Sequence, residues 1–381
     1  QDQIYETAKT DPDETAAVLF TSGSTGVPKG AVYSHGNFSA QVELLRQVYD
    51  IRPGEIDLPT FPLFALFAPA LGMTSVVPEM DFTRPADVDP AKIIAAIEKF
   101  QVTTMFGSPA LINRVGRYGQ AKGHKLPSLK RAISAGAPVP APVLERFAGM
   151  LQGDAQLFTP YGATEALPVC SIGSDEILGE TRYATDRGRG VCVGRPVPGI
   201  QLEIIRISDE PIEQWSDDLK IADGEIGEIV VKGPQVTGSY FNRAGSNALS
   251  KIADPAHNGF YHRMGDLGYR DAQGRIWFCG RKAHRVVTAA ETLFTIPCEA
   301  VFNTHSEVFR TALVGVGASG RQLPVLCVEL EKGVDTAAVE RIYRELLAIG
   351  AECELTRNIK RVLFHPAFPD DIRHNAKIFS E

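Results

Sequence analysis

Residues 21–30 read TSGSTGVPKG, and this run decides how the chain is interpreted. It combines three glycines, four hydroxyl side chains and one lysine, and it follows the apolar run AAVLF at residues 16–20, which is typical of a buried strand. Glycine tolerates positive φ and close backbone approach, so such a loop can turn its N–H groups toward phosphate oxygens. The glycine spacing differs from that of a Walker A loop. Alone, the run predicts a phosphate site, with an ordinary polar turn as the alternative.

Composition limits the class of protein. A chain of 381 residues is long enough for at least two domains. The net charge of −7 argues against nucleic acid as the main partner. Six scattered cysteines without a CxxC pair favour free thiols in a reducing compartment, and we therefore expect a cytoplasmic protein. Prolines interrupt the apolar stretch at residues 58–77, so no transmembrane segment is expected there.

Hydrophobic periodicity predicts the order of secondary-structure elements. The first half alternates helices and short strands, which favours an α/β sheet with its loops gathered at one edge. The expected elements there are helices at 34–50, 90–100 and 142–151 and strands at 103–106 and 156–158. From about residue 190, alternating apolar residues predict a β-rich subdomain with strands at 200–207 and 226–232. A small α+β unit is expected at the end, with strands at 311–316 and 324–330 and a helix at 334–349.

Five further runs carry chemistry-bearing side chains in a fixed order. They are SAGAP at 134–138, YGATE at 161–165, YHRMGD at 261–266, GRK at 280–282 and DIRHNAK at 371–377. Taken singly, four of these residues also have simpler explanations: Tyr161 as a core residue, Glu165 as a partner in a helix N-cap, Asp266 as a residue of a tight turn and Lys377 as an exposed lysine. Together with residues 21–30, the order and spacing of the runs resemble the adenylate-forming superfamily of acyl-CoA synthetases, adenylation domains and luciferases.

This resemblance implies a domain organisation. We expect a large N-terminal AMP-binding domain at residues 1–281, made of layered α/β structure and a β-rich subdomain, and a small mobile α+β lid domain at residues 282–381. A hinge would lie near Lys282 and Ala283. In the family a long segment precedes the phosphate loop, and we expect this part to be missing from the sequence.

The resemblance also implies roles in binding ATP and Mg²⁺. The flexible loop that holds the β- and γ-phosphates would consist of Thr21, Ser22, Gly23, Ser24, Thr25, Gly26 and Lys29. The floor of the adenine pocket, where side chains must be small, would consist of Gly136, Ala137 and Pro138. Tyr161, followed by Gly162 and Ala163, would stack on adenine.

The remaining matches imply the catalytic groups. Thr164 would bond the α-phosphate, and Glu165 would help to hold Mg²⁺, which prefers carboxylate and phosphate oxygens. Asp266 would accept the ribose hydroxyls, and Arg281 would reach ribose or phosphate. Lys377 would neutralise charge that develops at the α-phosphate in the transition state.

Several departures from the superfamily pattern narrow the resemblance. Ala290 stands where CoA ligases have a glycine beside the pantetheine tunnel, and its methyl group would crowd a pantetheine arm. Ala376 replaces the usual glycine before Lys377. With the Phe-rich run at 61–67, these features look most like the OleC-type β-lactone synthetases of bacterial olefin biosynthesis. Phe61, Phe64 and Phe67 could line an alkyl pocket, and a buried core segment is the equal alternative.

The resemblance implies that ATP activates a long-chain 2-alkyl-3-hydroxy fatty acid and that the product is a β-lactone. The partners would be this small-molecule acid and other enzymes of olefin biosynthesis. A fatty acyl-CoA ligase or fatty acyl-AMP ligase is the first alternative. A non-catalytic nucleotide-binding assembly partner is the second, although the presence of Glu165, Asp266, Arg281 and Lys377 argues against it.

Overall fold

The computed structural model of the protein describes residues 8–21 and 27–368. Its strands are β1 (Thr15–Phe20), β2 (Gly30–Ser34), β3 (Ile56–Pro59), β4 (Thr74–Ser75), β5 (Thr104–Phe106), β6 (Arg131–Ile133), β7 (Gln156–Phe158), β8 (Tyr161–Ala163), β9 (Ala166–Ser171), β10 (Val191–Pro196), β11 (Gln201–Ile205), β12 (Gly227–Lys232), β13 (Ser239–Tyr240), β14 (Lys251–Asp254), β15 (Gly259–Arg270), β16 (Ile276–Arg281), β17 (Val286–Val287), β18 (Thr292–Leu293), β19 (Val308–Val316), β20 (Leu323–Leu330) and β21 (Arg361–Phe364). Its helices are α1 (His35–Tyr49), α2 (Phe67–Ala70), α3 (Pro90–Phe100), α4 (Pro109–Lys122), α5 (Ala141–Ala148), α6 (Ser174–Glu176), α7 (Arg182–Thr185), α8 (Ala244–Ser250), α9 (Thr295–Phe302) and α10 (Val339–Glu352).

A parallel sheet of five strands, in the order β4-β3-β5-β6-β7, forms the first layer. Helices α3, α4 and α5 pack on it around a core that includes Leu58, Met105 and Leu157, all fully buried. The predicted helix at 90–100 is confirmed as α3. Asp89 caps its N-terminus by accepting the Ala91 N–H at 3.0 Å. The carboxyl ends of β5, β6 and β7 lead into the loops where ligands of such sheets bind.

A second sheet of eight strands contains β11, β12, β15, β16, β10, β9 and β8, with β14 also paired to β15. The predicted strands at 200–207 and 226–232 are confirmed as β11 and β12. The prediction that Asp266 lies in a tight turn is wrong, because Asp266 lies inside β15, a strand of 12 residues. Gly265, which made the sequence look like a turn, instead marks a bulge within the strand. Gly265 has φ of 68°, and the register of β15 against β12 shifts at this point, so the strand bulges where Asp266 begins its pairing with β16.

A third sheet joins β1, β2 and β13, and it carries the phosphate-loop run between its first two strands. The strand predicted at residues 16–20 is present, but the prediction that it is buried is wrong. Within the described residues β1 pairs on one side alone, and its last residue, Phe20, is 69% exposed. Helix α1 follows β2 directly. Ser34 and Asn37 form a reciprocal capping box that fixes its start.

The C-terminal elements have a hydrophobic core of their own. Strands β19 and β20 are antiparallel, β21 joins β20 in parallel, and α9 and α10 contribute the fully buried Phe302, Ile342 and Leu346. The boundary expected at residue 282 falls directly after β16, and the division into two domains remains a prediction. Among the described residues, no helix combines the length and apolar character needed to cross a membrane.

Candidate active site

The run at residues 21–30 connects the antiparallel strands β1 and β2. Two mutual hydrogen bonds join Thr21 and Lys29, the described residues on either side of its centre. The Thr21 N–H donates to the Lys29 carbonyl oxygen at 2.9 Å, and the Lys29 N–H donates to Thr21 Oγ1 at 3.1 Å. The Lys29 ammonium lies 5.1 Å from the centroid of the Tyr240 ring, within range of a cation–π interaction. Ser22, Gly23, Ser24, Thr25 and Gly26 lie outside the described residues.

Three of the expected nucleotide-binding residues form one hydrogen-bonded group. The Tyr161 hydroxyl donates to Asp266 Oδ2 at 2.6 Å, and Arg281 Nη1 donates to Asp266 Oδ1 at 2.8 Å. Asp266 and Arg281 face each other across β15 and β16, so the sheet register brings them together. Burial raises the pKa of Asp266, while Arg281 and Tyr161 act in the opposite direction. The charge of Asp266 raises the pKa of Arg281, so the guanidinium stays charged.

A tight turn between β8 and β9 carries Thr164 and Glu165. Only glycine fits at position 162, since an added Cβ would lie 2.6 Å from the Ala166 carbonyl oxygen. The Glu165 carbonyl oxygen accepts the Thr237 N–H at 2.9 Å, and Glu165 Oε1 accepts the Tyr240 hydroxyl at 2.5 Å. The charge of Glu165 also raises the pKa values of Asp266 and Arg281, so Glu165 lies within electrostatic reach of this pair.

The small-residue loop at 134–138 leaves the carboxyl end of β6. Gly136 has φ of 105°, a left-handed backbone conformation that favours glycine. Gly136 and Pro138 are exposed and Ala137 is half-buried, so a flat ligand could lie against this backbone without meeting large side chains. The preceding Ser134 is buried, and its Oγ has no hydrogen-bond partner among the described residues.

An apolar cavity of about 120 Å³ is lined by Ala135 of this loop and by Leu167, which lies shortly after the turn of Thr164. Its lining includes the aromatic residues Tyr33, Phe38, Tyr49, Phe64, Phe67 and Phe106. Phe64 and Phe67 line this cavity, and its use as an alkyl pocket remains a prediction. Phe61 does not line the cavity: it is 37% exposed and contacts the Phe64 ring, with 5.4 Å between ring centroids. Ala135, in the run at 134–138, and Pro160, just before the run at 161–165, also line the cavity.

Two polar side chains stand out in this apolar lining, Asp57 and Gln41. Asp57 lies on β3 and is only 8% exposed. Burial raises its pKa to about 7, and a hydrogen bond from the Leu58 N–H acts in the opposite direction. Gln41 lies on α1 and is 5% exposed. Its Nε2 donates to the Leu167 carbonyl oxygen at 3.0 Å, while its Oε1 has no partner among the described residues.

Several residues of this region were not found from the sequence. Tyr33 donates from its hydroxyl to the Thr164 carbonyl oxygen at 2.5 Å, and Tyr240 holds Glu165. These contacts join residues that are 131 and 75 positions apart, and no local pattern marks them. Lys377 lies outside the described residues. The structure thus brings Tyr161, Glu165, Asp266 and Arg281 together, and their individual roles remain predictions.

Comparison with known proteins identifies the class. The sequence profile of the AMP-binding enzyme family matches residues 1–241. The chain therefore belongs to the AMP-binding enzyme family. It is 53% identical over 377 residues to the olefin β-lactone synthetase of Xanthomonas campestris pv. campestris, and 52% identical over 378 residues to that of Stenotrophomonas maltophilia. In both comparisons 98% of this chain aligns with 67% of the relative.

Solved structures confirm the fold class. The amide bond synthetase McbA from Marinactinospora thermotolerans superimposes with a TM-score of 0.76 at 24% identity, covering 96% of this chain and 69% of that chain. The O-succinylbenzoate coenzyme A synthetase of Bacillus subtilis, solved with ATP and magnesium, superimposes with a TM-score of 0.74 at 21% identity and covers 100% of this chain and 72% of that chain. Both support the mixed α/β fold of adenylate-forming enzymes.

Proposed function

We propose that this protein activates the carboxylate of a long-chain 2-alkyl-3-hydroxy fatty acid with ATP and then closes the acyl-adenylate to a β-lactone. The observation that carries the proposal is an apolar cavity next to the turn of Thr164, in a chain that is 52–53% identical to two olefin β-lactone synthetases. The cavity provides a place for alkyl chains, and the turn provides a place for the carboxylate and the α-phosphate.

The residues beside this turn suit ATP and Mg²⁺. Glu165 is a carboxylate with about four lone-pair positions, of which Tyr240 uses one, so it retains oxygen ligands for a hard cation. Asp266 likewise retains acceptor positions for ribose hydroxyls beyond its bonds to Tyr161 and Arg281. We expect Mg²⁺, when bound, to neutralise phosphate charge. Lys29 and Arg281 add positive charge beside the same site.

The first step joins the acid to the nucleotide. A carboxylate oxygen attacks the α-phosphorus, the new bond to phosphorus forms, and the bond to the bridging oxygen breaks as pyrophosphate leaves. Because the charge spreads over phosphate oxygens in the transition state, catalysis depends on positioning and on positive charge. We expect Thr164 to hold the α-phosphate from its place in the turn.

The second step needs no further molecule. The oxygen of the substrate's own 3-hydroxyl attacks the acyl carbon, the bond between that carbon and the AMP oxygen breaks, and the hydroxyl proton is released as AMP departs. An attacking group tethered in the same molecule reaches effective concentrations of about 10⁵ M or more when well oriented. The apolar lining formed by residues such as Phe64, Phe67 and Phe106 would keep water from the acyl-adenylate.

A fatty acyl-CoA ligase is the second candidate. A long-chain-fatty-acid–CoA ligase of Salmonella typhimurium is 28% identical over 344 residues, so the overall sequence pattern alone does not separate the two reactions. Ala290 lies at the exposed tip of the turn between β17 and β18, where its N–H donates to Thr288 Oγ1 at 3.2 Å. A methyl group at this position leaves less room than glycine for a pantetheine arm passing this turn.

Product analysis tests the proposal. The full-length protein is incubated with Mg·ATP and a synthetic 2-alkyl-3-hydroxy acid, with and without CoA, and the products are identified by NMR in the cold. We expect a β-lactone and AMP in equal amounts, independent of CoA. A thioester that forms only with CoA would assign the protein to the acyl-CoA ligases instead. The matched control is the corresponding acid without the 3-hydroxyl, which can be adenylated but cannot close a lactone.

A further inference from the structure

Gln41 is a buried polar side chain in the wall of a largely apolar cavity. It is 5% exposed and lies on the inner face of α1, between Phe38 and Leu45, which line the same cavity. Its Oε1 atom has no hydrogen-bond partner among the described residues. A buried acceptor without a partner carries a desolvation cost of about 1–3 kcal/mol. A ligand donor that pairs with Oε1 would offset this cost.

The orientation of the Gln41 amide is set by its neighbours. Its Nε2 donates to the Leu167 carbonyl oxygen at 3.0 Å, and a carbonyl can only accept, so nitrogen and not oxygen must face Leu167. Tyr33 supports the same arrangement. Burial raises the pKa of Tyr33 to about 12, and a hydrogen bond with Gln41 acts in the opposite direction, so the phenol stays protonated beside the amide. The amide nitrogen therefore has a hydrogen-bond partner, whereas Oε1 has none among the described residues.

This acceptor is tied to the reaction centre through one short turn. The backbone of residues 164–167 carries Thr164, whose carbonyl oxygen accepts the Tyr33 hydroxyl, and Leu167, whose carbonyl oxygen accepts Gln41. Tyr33 and Gln41 in the cavity wall are thus hydrogen-bonded to the same short backbone stretch that carries Thr164, the residue expected to bind the α-phosphate. Gln41 lines the cavity, and a ligand hydroxyl that pairs with its Oε1 would lie beside the backbone stretch that carries Thr164.

We propose that Gln41 recognises the 3-hydroxyl of the substrate by accepting its hydrogen bond at Oε1. The inference rests on the function proposed above and adds how the enzyme selects a 3-hydroxy acid over a plain fatty acid. The proposed substrate has two polar groups, the carboxylate and the 3-hydroxyl. The ionised carboxylate has no proton to donate. The 3-hydroxyl is the donor that an unpaired amide oxygen requires, and holding it would aim its oxygen lone pair at the acyl carbon three bonds away.

The main test measures selectivity in adenylation, by ATP–pyrophosphate exchange, with a 2-alkyl-3-hydroxy acid and its analogue without the hydroxyl. The native protein should prefer the hydroxy acid by about tenfold or more in kcat/KM, because the analogue leaves Oε1 unpaired. The variant Gln41→Met keeps length and apolar fit but removes the amide. It should raise KM for the hydroxy acid by about tenfold and leave the analogue nearly unchanged.

A second readout separates recognition from a merely structural role. The lactone formed per AMP released should fall in Gln41→Met, because an unheld hydroxyl attacks less often and the adenylate is lost to hydrolysis. Gln47→Met on the exposed face of the same helix is the matched control and should leave both readouts unchanged. Gln41→Leu serves as a second variant, and thermal denaturation shows that each one folds.

The outcomes are distinguishable. If the native protein forms no lactone from the hydroxy acid, the proposed function itself is wrong. If it forms lactone but adenylates both acids equally well, the function stands and the inference on Gln41 is overturned, whether or not the variants fold. Retained selectivity and lactone yield in a folded Gln41→Met variant would overturn it as well. Loss of both in Gln41→Met, with Gln47→Met unaffected, would support it.

Discussion

The hydroxyl of Tyr161 donates a hydrogen bond of 2.6 Å to Oδ2 of Asp266, across 105 positions of the sequence. Asp266 is at the same time paired with Arg281 across the sheet. This arrangement fixes the direction in which the carboxylate presents its remaining lone pairs. It also links the aromatic ring expected at the adenine to the carboxylate expected at the ribose through one hydrogen bond.

Replacing Tyr161 by phenylalanine should weaken nucleotide binding without removing the ring. The variant loses one hydrogen bond to a charged group, worth about 1.5–3 kcal/mol. We therefore expect KM for ATP in pyrophosphate exchange to rise by about tenfold. Tyr183→Phe, at an exposed tyrosine of α7, is the control. An unchanged KM for ATP in Tyr161→Phe would mean that the contact with Asp266 plays no part in nucleotide binding.

Replacing Glu165 by glutamine should shift the magnesium requirement. The amide oxygen of the new side chain can still accept the Tyr240 hydroxyl, so the turn should keep its shape. The negative charge is lost, and we expect half-maximal exchange activity to need about tenfold more Mg²⁺. The measurement is a Mg²⁺ titration at saturating ATP, with the exposed Glu79→Gln as control. An identical titration curve would remove Glu165 from the metal site.

Asp57 should make the stability of the protein depend on pH. Burial raises its pKa to about 7, from 3.8 in the unfolded chain, so the folded state binds the proton more tightly. The stability contributed by this group is therefore fully present below pH 4 and is lost as pH rises through 7. A difference of about three pKa units corresponds to about 4 kcal/mol.

The variant Asp57→Asn has no charge to bury. We expect it to unfold at higher urea concentration than the native protein at pH 8, with a difference that shrinks toward pH 5. The exposed Asp154→Asn serves as control and should follow the native protein at both pH values. A pH-independent difference between Asp57→Asn and the native protein would show that Asp57 keeps the same charge throughout this range.

Lys377 lies outside the described residues, and its role rests on the sequence. We expect Lys377→Ala to slow adenylation by about 10²–10³-fold, comparable to the loss of one oxyanion-hole donor. ATP–pyrophosphate exchange with saturating substrates measures this step directly. The exposed Lys360→Ala is the control, and unchanged exchange in Lys377→Ala would exclude Lys377 from the chemical step.

Local signals in the sequence were sufficient for much of the fold. Helix α3 was predicted because residues 90–100 are amphipathic and Pro90 lies near the first turn, and the structure adds Asp89 as its N-terminal cap. Helix α1 was predicted to within about a residue, and the structure explains why, since Ser34 and Asn37 cap each other. Asp266 was placed in a turn because Gly265 precedes it. Only its pairing with distant strands reveals that this glycine forms a bulge within a long strand.

The site was predicted only where it follows a motif. Tyr161, Glu165 and Asp266 belong to recognisable runs, and the structure brings them into one group. No sequence pattern marked Gln41 or Tyr240, because their hydrogen-bond partners, the Leu167 carbonyl oxygen and the Glu165 carboxylate, lie 126 and 75 positions away. The placement of Phe61 in the cavity lining was wrong for a similar reason. A cluster of phenylalanines in the sequence does not show which of their rings face the interior.

The phenylalanine lining of the cavity has a spectroscopic consequence. The sequence holds two tryptophans, Trp215 and Trp277, and they stack on Tyr261 and Tyr269, with ring centroids 4.0 Å and 6.0 Å apart. Neither lines the cavity. Fluorescence excited at the red edge of indole absorption would therefore change little when an alkyl chain enters. A tryptophan introduced by Phe106→Trp would sit against the bound chain and report its arrival in real time, before any AMP is released.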